Sequence, residues 1–226
     1  MIPLKDDNPT QSTPVITVGL IVLNGLIFIY QLSLSPEGLE TFLFRYGAIP
    51  ARLAAPDLYG PVSAPALPFS LTVFTSMFLH GGLFHLLGNM LYLWIFGNNV
   101  EDYLGHIKFL GFYLLSGFFA AFIHTLTDLH SQVPMIGASG AIAGVLGAYL
   151  VLFPRANVST LFIFFVFFKI IKVPAVLILG LWFVVQLINA GTVGGSVAWY
   201  AHVGGFLAGV VLIRFFGRRR SYRVGD

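Results

Sequence analysis

Four polar residues stand out because each lies within an otherwise apolar stretch: Ser139 in GASGAIAG, His202 in YAHVGGFLAG, and His85 with Asn89 in FHLLGNM. A serine hydroxyl beside an imidazole becomes a nucleophile when the imidazole accepts its proton as a general base. The side chains of His85 and Asn89 can donate hydrogen bonds to the negative oxygen that forms on an attacked carbonyl group. These residue types therefore indicate acyl-transfer chemistry, such as peptide-bond hydrolysis.

The composition of the chain indicates where this chemistry would take place. Of the 226 residues, 57% are hydrophobic and only 9% are charged, whereas about 25% are charged in an average soluble domain. The apolar residues form blocks close to the ~20 residues that a helix needs to cross a bilayer. The sequence therefore predicts a polytopic membrane protein. Because cysteine is absent, thiolate metal sites and cysteine nucleophiles are excluded.

Six apolar blocks are predicted to cross the membrane as helices. They are Val15 to Leu32, Gly81 to Val100, Ile107 to Leu126, Ser139 to Phe153, Val173 to Ala190 and Val197 to Phe216. Two shorter blocks, which begin at Leu71 and Leu161, are about half as long and are predicted to be interfacial or re-entrant. The predicted fold is thus an all-α bundle of six transmembrane helices over residues 15–216, with a long external loop at 33–80 and tails at 1–14 and 217–226.

Positive charges are distributed unevenly between the two sides of this bundle. Only Arg45 and Arg52 fall on the side opposite the N-terminus. The other side carries Lys5, Lys108, Arg155, Lys169, Lys172, Arg214, Arg218, Arg219, Arg220 and Arg223. The positive-inside rule therefore predicts that both termini are cytoplasmic. The net charge of +3 is assigned to contact with the membrane surface and not with nucleic acid.

The predicted helices bring the four polar residues to one depth. At ~1.5 Å per residue from the basic side, His85 and Ser139 lie roughly 24 Å and His202 roughly 18 Å into the bilayer. Asn89 lies one turn from His85 on the same helical face. Small residues that allow the fourth and sixth helices to pack closely are Gly140, Gly144, Ala148, Gly205 and Gly209. We therefore expect the Ser139 hydroxyl to contact the His202 imidazole.

The position of Ser139 at the start of its helix adds a further donor, because the first backbone N–H groups of a helix have no acceptor within it. An oxyanion hole would then consist of His85, Asn89 and the Ser139 N–H. The interiors of the fourth and sixth helices contain no aspartate or glutamate that could orient His202. The predicted arrangement is a Ser-His dyad and not a triad.

Together these residues resemble the rhomboid family of intramembrane serine proteases. The matching elements are His85-x-x-x-Asn89, Gly137-Ala138-Ser139-Gly140 and Ala201-His202-x-x-Gly205-x-x-x-Gly209, in that order. The resemblance implies that Ser139 is the nucleophile and His202 the general base, with His85, Asn89 and the Ser139 N–H as oxyanion donors. It also implies substrates that span the membrane once, enter near the fifth helix and are cut near the outer face.

The sequence departs from the family pattern at two places. Some rhomboids have a tyrosine four residues after the nucleophile, which stacks on the catalytic histidine, whereas this chain has Ala143. Either Trp199 or Tyr200 would replace that support, or the His202 ring is held less firmly. A Trp-Arg pair found in the first loop of some members is absent from this sequence, and no role is transferred for it.

Our hypothesis from the sequence is a serine endopeptidase of the prokaryotic inner membrane that requires no metal or cofactor. Its partners would be membrane lipid and transmembrane protein substrates. The principal alternative is a non-catalytic rhomboid-like protein that binds membrane helices in trafficking or quality control. A metal site of His80, His85 and His202 is geometrically conceivable, but it would leave Ser139 unexplained. A transporter of small polar solutes has little support, because no repeat or intramembrane charged pair is visible.

Two other protease classes are excluded by their motifs. The sequence contains no H-E-x-x-H motif, which a zinc protease of that type requires. An aspartyl protease would need two aspartates within spans, and every aspartate of this chain falls in a tail, a loop or a helix end.

The acidic pair Glu101 and Asp102 is interpreted most simply as a solvated helix end.

Overall fold

The computed structural model describes residues 1–55, 68–164, 167–191 and 198–217. Its helices are α1 Val15–Leu32, α2 Pro36–Tyr46, α3 Pro50–Ala54, α4 Phe69–Thr75, α5 Leu83–Tyr92, α6 Asn98–Leu104, α7 His106–Thr127, α8 Ser139–Leu152, α9 Ala175–Ala190 and α10 Trp199–Leu212. A 3-10 turn, Ser76–Phe78, follows α4, and a π-helical segment, Leu93–Gly97, joins α5 to α6. Residues 56–67 of the predicted loop, the predicted helix start at Val197 and the predicted tail beyond Gly217 lie outside the described ranges.

The described helices agree with the six predicted blocks in position but differ in length. Val15–Leu32 and His106–Thr127 are long and apolar enough to cross a membrane, and a bent pair, Ser70–Phe78 with Leu83–Leu104, gives a third candidate. The two parts of that pair meet at 92°, in keeping with the prediction that the Leu71 block is interfacial or re-entrant. The helices α8, α9 and α10 are apolar but shorter. The number of spans therefore remains a prediction.

Three strands modify the predicted all-α fold. They are β1 Ile2–Asp6, β2 Asn157–Phe164 and β3 Phe167–Pro174, which form an antiparallel sheet in the order β1-β2-β3. The block from Leu161 to Ile171 was predicted to be an interfacial or re-entrant segment, and the structure shows that it belongs to a β-hairpin. Its aromatic and β-branched residues favour strands, and β1, in the predicted N-terminal tail, supplies a third strand.

The acidic pair after the π-helical segment is not a solvated helix end. Glu101 is 0% and Asp102 2% exposed. Glu101 accepts hydrogen bonds from the N–H groups of Ile16 (2.8 Å) and Thr17 (2.7 Å), and Asp102 accepts those of Gln11 and Ser12, both at 2.9 Å. Glu101 stabilises the start of α1, because it satisfies N–H groups that a helix leaves without partners and complements its positive end. Asp102 holds the segment that leads into α1.

At the centre of the molecule α7, α8 and α10 pack against one another, and we call these helices the three-helix core. Ten consecutive residues of α8, Gly140–Tyr149, are buried. A Cβ atom on Gly209 would collide with the backbone of Gly144, and one on Gly205 would collide with the backbone of Gly140. The backbones of α8 and α10 therefore approach closely, as predicted from their small residues. This contact fixes the position of α8 relative to α10.

The predicted external loop contains short helices in its described part. Ser35 caps α2, because its hydroxyl accepts the Gly38 N–H at 3.1 Å, and proline begins both α2 and α3. An isolated bridge between Ala48 and Met135 connects this region to the segment that precedes α8. The loop is thus attached next to the residues that lead into Ser139.

Candidate active site

Ser139 and His202 lie in direct contact. Ser139 is the first residue of α8, His202 lies in the first turn of α10, and the Ser139 Oγ is 2.8 Å from the His202 Nε2. Both residues are partly exposed. Glycine at position 140 lets α8 pack closely against α7, because a Cβ atom there would lie 2.7 Å from the Cβ of Ala120. The predicted contact between hydroxyl and imidazole is confirmed.

The other ring nitrogen of His202 contacts a residue that the sequence analysis did not consider. The Nδ1 atom lies 2.7 Å from the Oε1 of Gln186 on α9. The predicted dyad follows from the absence of aspartate and glutamate inside the fourth and sixth helices, whereas Gln186 is a neutral amide on the fifth. The available signal was a glutamine inside an apolar run, VVQLI, because a polar side chain in a membrane helix is costly without a partner.

Aromatic rings also contact His202, although the chain has Ala143 in place of the family's tyrosine. Trp199 meets the imidazole edge-on, with ring centroids 5.9 Å apart and planes at 88°. Trp182 on α9 lies at 6.0 Å with a tilted plane. Of the two replacements predicted for the missing tyrosine, Trp199 is therefore in place, whereas Tyr200 is 40% exposed. Trp182 was not predicted.

His85 and Asn89 lie beside the backbone that leads into Ser139. A Cβ atom on Gly137 would lie 2.8 Å from the His85 Nε2 and 3.7 Å from the Asn89 Nδ2. Gly137 also has a φ of +118°, which L-residues with side chains rarely adopt. Glycine is thus required here both by the backbone turn and by the approach of the His85 ring. All four residues predicted for the site are brought together at the start of α8.

His80 holds Asn89 and is held in turn by α1. The His80 Nε2 lies 2.9 Å from the Asn89 Nδ2, and because an amide nitrogen can only donate, Nε2 is the acceptor. The backbone N–H of His80 donates to the Gln31 Oε1, and the Gln31 Nε2 donates to the His80 carbonyl, both at 3.0 Å. Two buried side chains, Gln31 and His80, therefore position the Asn89 amide.

The metal alternative gains no geometric support. Within the described ranges no group of three His, Cys, Asp or Glu side chains could hold a metal ion. The Nε2 atoms of His80 and His202 are each engaged, with Asn89 and Ser139 respectively. These contacts orient both imidazoles toward polar protein atoms and not toward one another.

The arrangement is chemically suited to acyl transfer. The Ser139 hydroxyl can donate its proton to the His202 Nε2 as it attacks a carbonyl carbon. The first N–H groups of α8 have no acceptor within the helix, and the His85 and Asn89 side chains approach from α5. Such groups are the kinds of donor that can stabilise the negative oxygen of an attacked carbonyl group.

Comparison with known proteins finds eukaryotic relatives. The chain is 34% identical over 151 residues to "Rhomboid protein 1, mitochondrial" of Saccharomyces cerevisiae, which covers 62% of this chain and 40% of that protein. It is 38% identical over 134 residues to "RHOMBOID-like protein 4" of Arabidopsis thaliana, covering 59% and 31%. It is 33% identical over 90 residues to the bovine "Presenilin-associated rhomboid-like protein, mitochondrial", covering 39% and 24%. These alignments span less than half the length of each relative.

The predicted location in a prokaryotic inner membrane is wrong on this comparison. The matched relatives are eukaryotic, and two of the three names contain the word mitochondrial. The assignment of both termini to a cytoplasm is corrected with it, because the positive-inside rule was applied to a prokaryotic plasma membrane. The charge asymmetry itself is unaffected, and Lys5, Lys108 and Arg155 are still expected on one side of the membrane.

The family itself is identified by a match over most of the chain. The family model described as the Rhomboid domain matches residues 70–219. This range is longer than half of the 226 residues and includes Ser139, His202, His85 and Asn89. The chain belongs to the rhomboid family.

Proposed function

We propose that this protein is an intramembrane serine endopeptidase that cleaves membrane-spanning proteins. Ser139 is the nucleophile and His202 the general base. The observation that carries the proposal is the 2.8 Å contact between the Ser139 Oγ and the His202 Nε2, next to two side chains that can stabilise an oxyanion. A protein that only binds helices would have no need for a hydroxyl and an imidazole in this relation.

The reaction would begin when the Ser139 Oγ attacks the scissile carbonyl carbon and its proton passes to the His202 Nε2. The carbonyl oxygen becomes negative and accepts hydrogen bonds from His85, Asn89 and the Ser139 N–H. Collapse of this intermediate breaks the C–N bond, and the leaving amine takes the proton from His202. Water, activated by the same imidazole, then hydrolyses the acyl-enzyme and restores the serine.

The membrane setting of the proposal follows from the helices around the site. We infer that the shorter helices α8, α9 and α10 also cross the bilayer, which gives the six spans that the sequence predicts. Substrate helices would reach the site beside α9, whose exposed side chains are apolar and include Leu177, Leu181, Val184 and Ile188. The names of the yeast and bovine relatives favour a mitochondrial membrane as the location.

Co-expression with a panel of tagged single-span membrane proteins tests this function. We expect the wild-type protein to release a shortened fragment from at least one panel member and Ser139→Ala to release none. Gly88→Ala is a matched control, because nothing lies within 4 Å of a Cβ at that position. If fragments persist with Ser139→Ala, Ser139 is not the nucleophile. Capture of panel members without any cleavage by the wild-type protein would instead support the helix-binding alternative.

A further inference from the structure

We propose that Gln186 is a positioning residue that fixes which nitrogen of His202 carries the proton. The proposal rests on the function proposed above, because it concerns the base of that reaction. Gln186 lies on α9, outside the two helices that carry Ser139 and His202, and is 5% exposed. A buried amide at this place must find partners within the protein, and its two partners determine the state of the imidazole.

The first partner fixes the orientation of the amide. The Gln186 Nε2 donates to the carbonyl oxygen of Trp182, one turn earlier on the same helix, at 3.2 Å. Because only the nitrogen of an amide can donate, this hydrogen bond turns the Oε1 toward α10. The Oε1 then lies 2.7 Å from the Nδ1 of His202. The amide therefore presents an acceptor, and not a donor, to the imidazole.

The second partner of the Gln186 amide, His202, is thereby restricted to one tautomer. An amide oxygen can only accept, so the Nδ1 of His202 must carry a hydrogen. In a neutral imidazole the Nε2 then has a free lone pair, and this lone pair faces the Ser139 Oγ at 2.8 Å. The opposite tautomer would place the lone pair of Nδ1 against that of Oε1 and leave Nε2 unable to accept the serine proton.

Gln186 thus takes the place that an aspartate occupies in a catalytic triad, but without a charge. It selects the reactive tautomer and keeps its hydrogen bond when His202 becomes positively charged. The positive charge then strengthens the hydrogen bond from the Nδ1–H group to the Gln186 Oε1. In serine proteases with a triad, loss of the group that selects the tautomer strongly lowers turnover although the geometry is kept. The dyad predicted from the sequence is therefore supported by a third, neutral residue.

The most direct experiment reads the tautomer in the wild-type protein. We propose to record 15N chemical shifts of histidine-labelled protein in micelles and to assign His202 by comparison with His202→Gln. The expected spectrum shows a protonated Nδ1 and an unprotonated Nε2. A protonated Nε2 would overturn the proposal whether or not the protein is active, and this measurement needs no variant of Gln186.

Variants of Gln186 then connect the tautomer to reactivity. Gln186→Met removes the acceptor at similar size, and we expect the rate of Ser139 modification by a fluorophosphonate to fall about 10- to 100-fold. Gln186→Glu keeps an acceptor oxygen and should recover most of the rate. Gln132→Met, the same substitution at an exposed glutamine in the segment before α8, is the control and should match wild type. With a peptide substrate, kcat should fall with Gln186→Met while KM changes less than about 2-fold.

The possible results separate this proposal from the proposed function. If the wild-type protein reacts and Gln186→Met reacts at the same rate, Gln186 does not position the base, although Ser139 is still a nucleophile. If both Gln186→Met and Gln186→Glu lose activity equally, the effect is structural and the proposal is wrong. If the wild-type protein is itself inert toward fluorophosphonate, the proposed function fails, and the role of Gln186 is then decided by comparing the His202 tautomer in wild type and in Gln186→Met.

Discussion

The helices that carry the candidate dyad and the helix that supports it are packed in different ways. In the three-helix core, α8 is buried along Gly140–Tyr149 and meets α10 backbone to backbone. On α9 only Ala175, Leu179 and Gln186 are buried among sixteen residues, and a Cβ on Gly180 would have nothing within 4 Å. One region is held by direct backbone contact, and the other by a few side chains.

This difference indicates how the site divides its tasks. The distance between the Ser139 hydroxyl and the His202 imidazole is set by the three-helix core, where small residues leave little room for movement. The protonation pattern of the imidazole is set, on our inference, by Gln186 on the loosely packed α9. A helix with few packing contacts is free to move, so the part of the site that depends on α9 is the more easily altered.

The same substitution made in both regions should show the largest difference between them. Gly209→Ala places a methyl group against the backbone of Gly144, whereas Gly180→Ala meets open space. We expect Gly209→Ala to lower the free energy of unfolding by ~3 kcal/mol or more, because the facing backbone cannot yield as a side chain can. Gly180→Ala should remain within ~1 kcal/mol of wild type. Thermal unfolding in micelles measures both; equal effects would contradict the contrast in packing.

Asn89→Ala should change the chemistry without disturbing either region. Asn89 lies on α5 and bonds to His80, outside the contact between α8 and α10. If its amide stabilises the oxyanion, turnover should fall about 10- to 1000-fold with little change in substrate affinity. Steady-state kinetics with a cleavable substrate separate kcat from KM. A loss confined to KM would assign Asn89 to substrate positioning instead.

Shortening one buried side chain on α9 should loosen that helix alone. Leu179 is 0% exposed and Leu177 is 60% exposed. We expect Leu179→Ala to destabilise the attachment of α9 by ~2 kcal/mol, since a buried leucine loses its contacts and leaves a cavity. Amide hydrogen exchange should then accelerate along α9 but not along α8. Leu177→Ala is the control, and faster exchange in α8 with Leu179→Ala would show that the two regions are not separate.

The smallest expected effect concerns the far end of the three-helix core and depends on pH. The carboxylate of Asp6 accepts hydrogen bonds from Asn99 (2.8 Å) and from the Tyr149 hydroxyl at the end of α8 (2.6 Å). Burial raises the pKa of Asp6 above its ordinary value of 3.8. The folded protein therefore favours the protonated acid. The stability that this preference contributes is full below pH 3.8 and is lost as the pH rises through the raised value.

Thermal unfolding of wild type and Asp6→Asn at several pH values measures this contribution. The stability of wild type relative to Asp6→Asn should decline as the pH rises above 3.8 and through the raised pKa of Asp6, because only wild type carries a titrating group at position 6. A difference that is independent of pH, or that grows in favour of wild type as the pH rises, would contradict the raised pKa.

Much of the site could be predicted from the sequence because its signals are local. A polar residue in an apolar block, such as Ser139 or His202, is recognisable as a candidate functional residue. Glycines at a spacing of four predict the close approach of two helices. Gln186 carries the same local signal, a polar residue in the apolar run VVQLI, but its role depends on how α9 packs against α10, which no local pattern states. The β-hairpin was missed because a short run of aromatic and β-branched residues does not distinguish a strand from a membrane segment.

Covalent modification of Ser139 tests the central claim most directly. Intact protein in micelles is treated with a fluorophosphonate, and the modified residue is located by mass spectrometry of its peptides. We predict modification of Ser139 in the wild-type protein, none in Ser139→Ala and a large loss in His202→Ala, because the imidazole must accept the hydroxyl proton. Equal modification of Ser139 in wild type and His202→Ala, or modification of another residue alone, would contradict a reactive dyad.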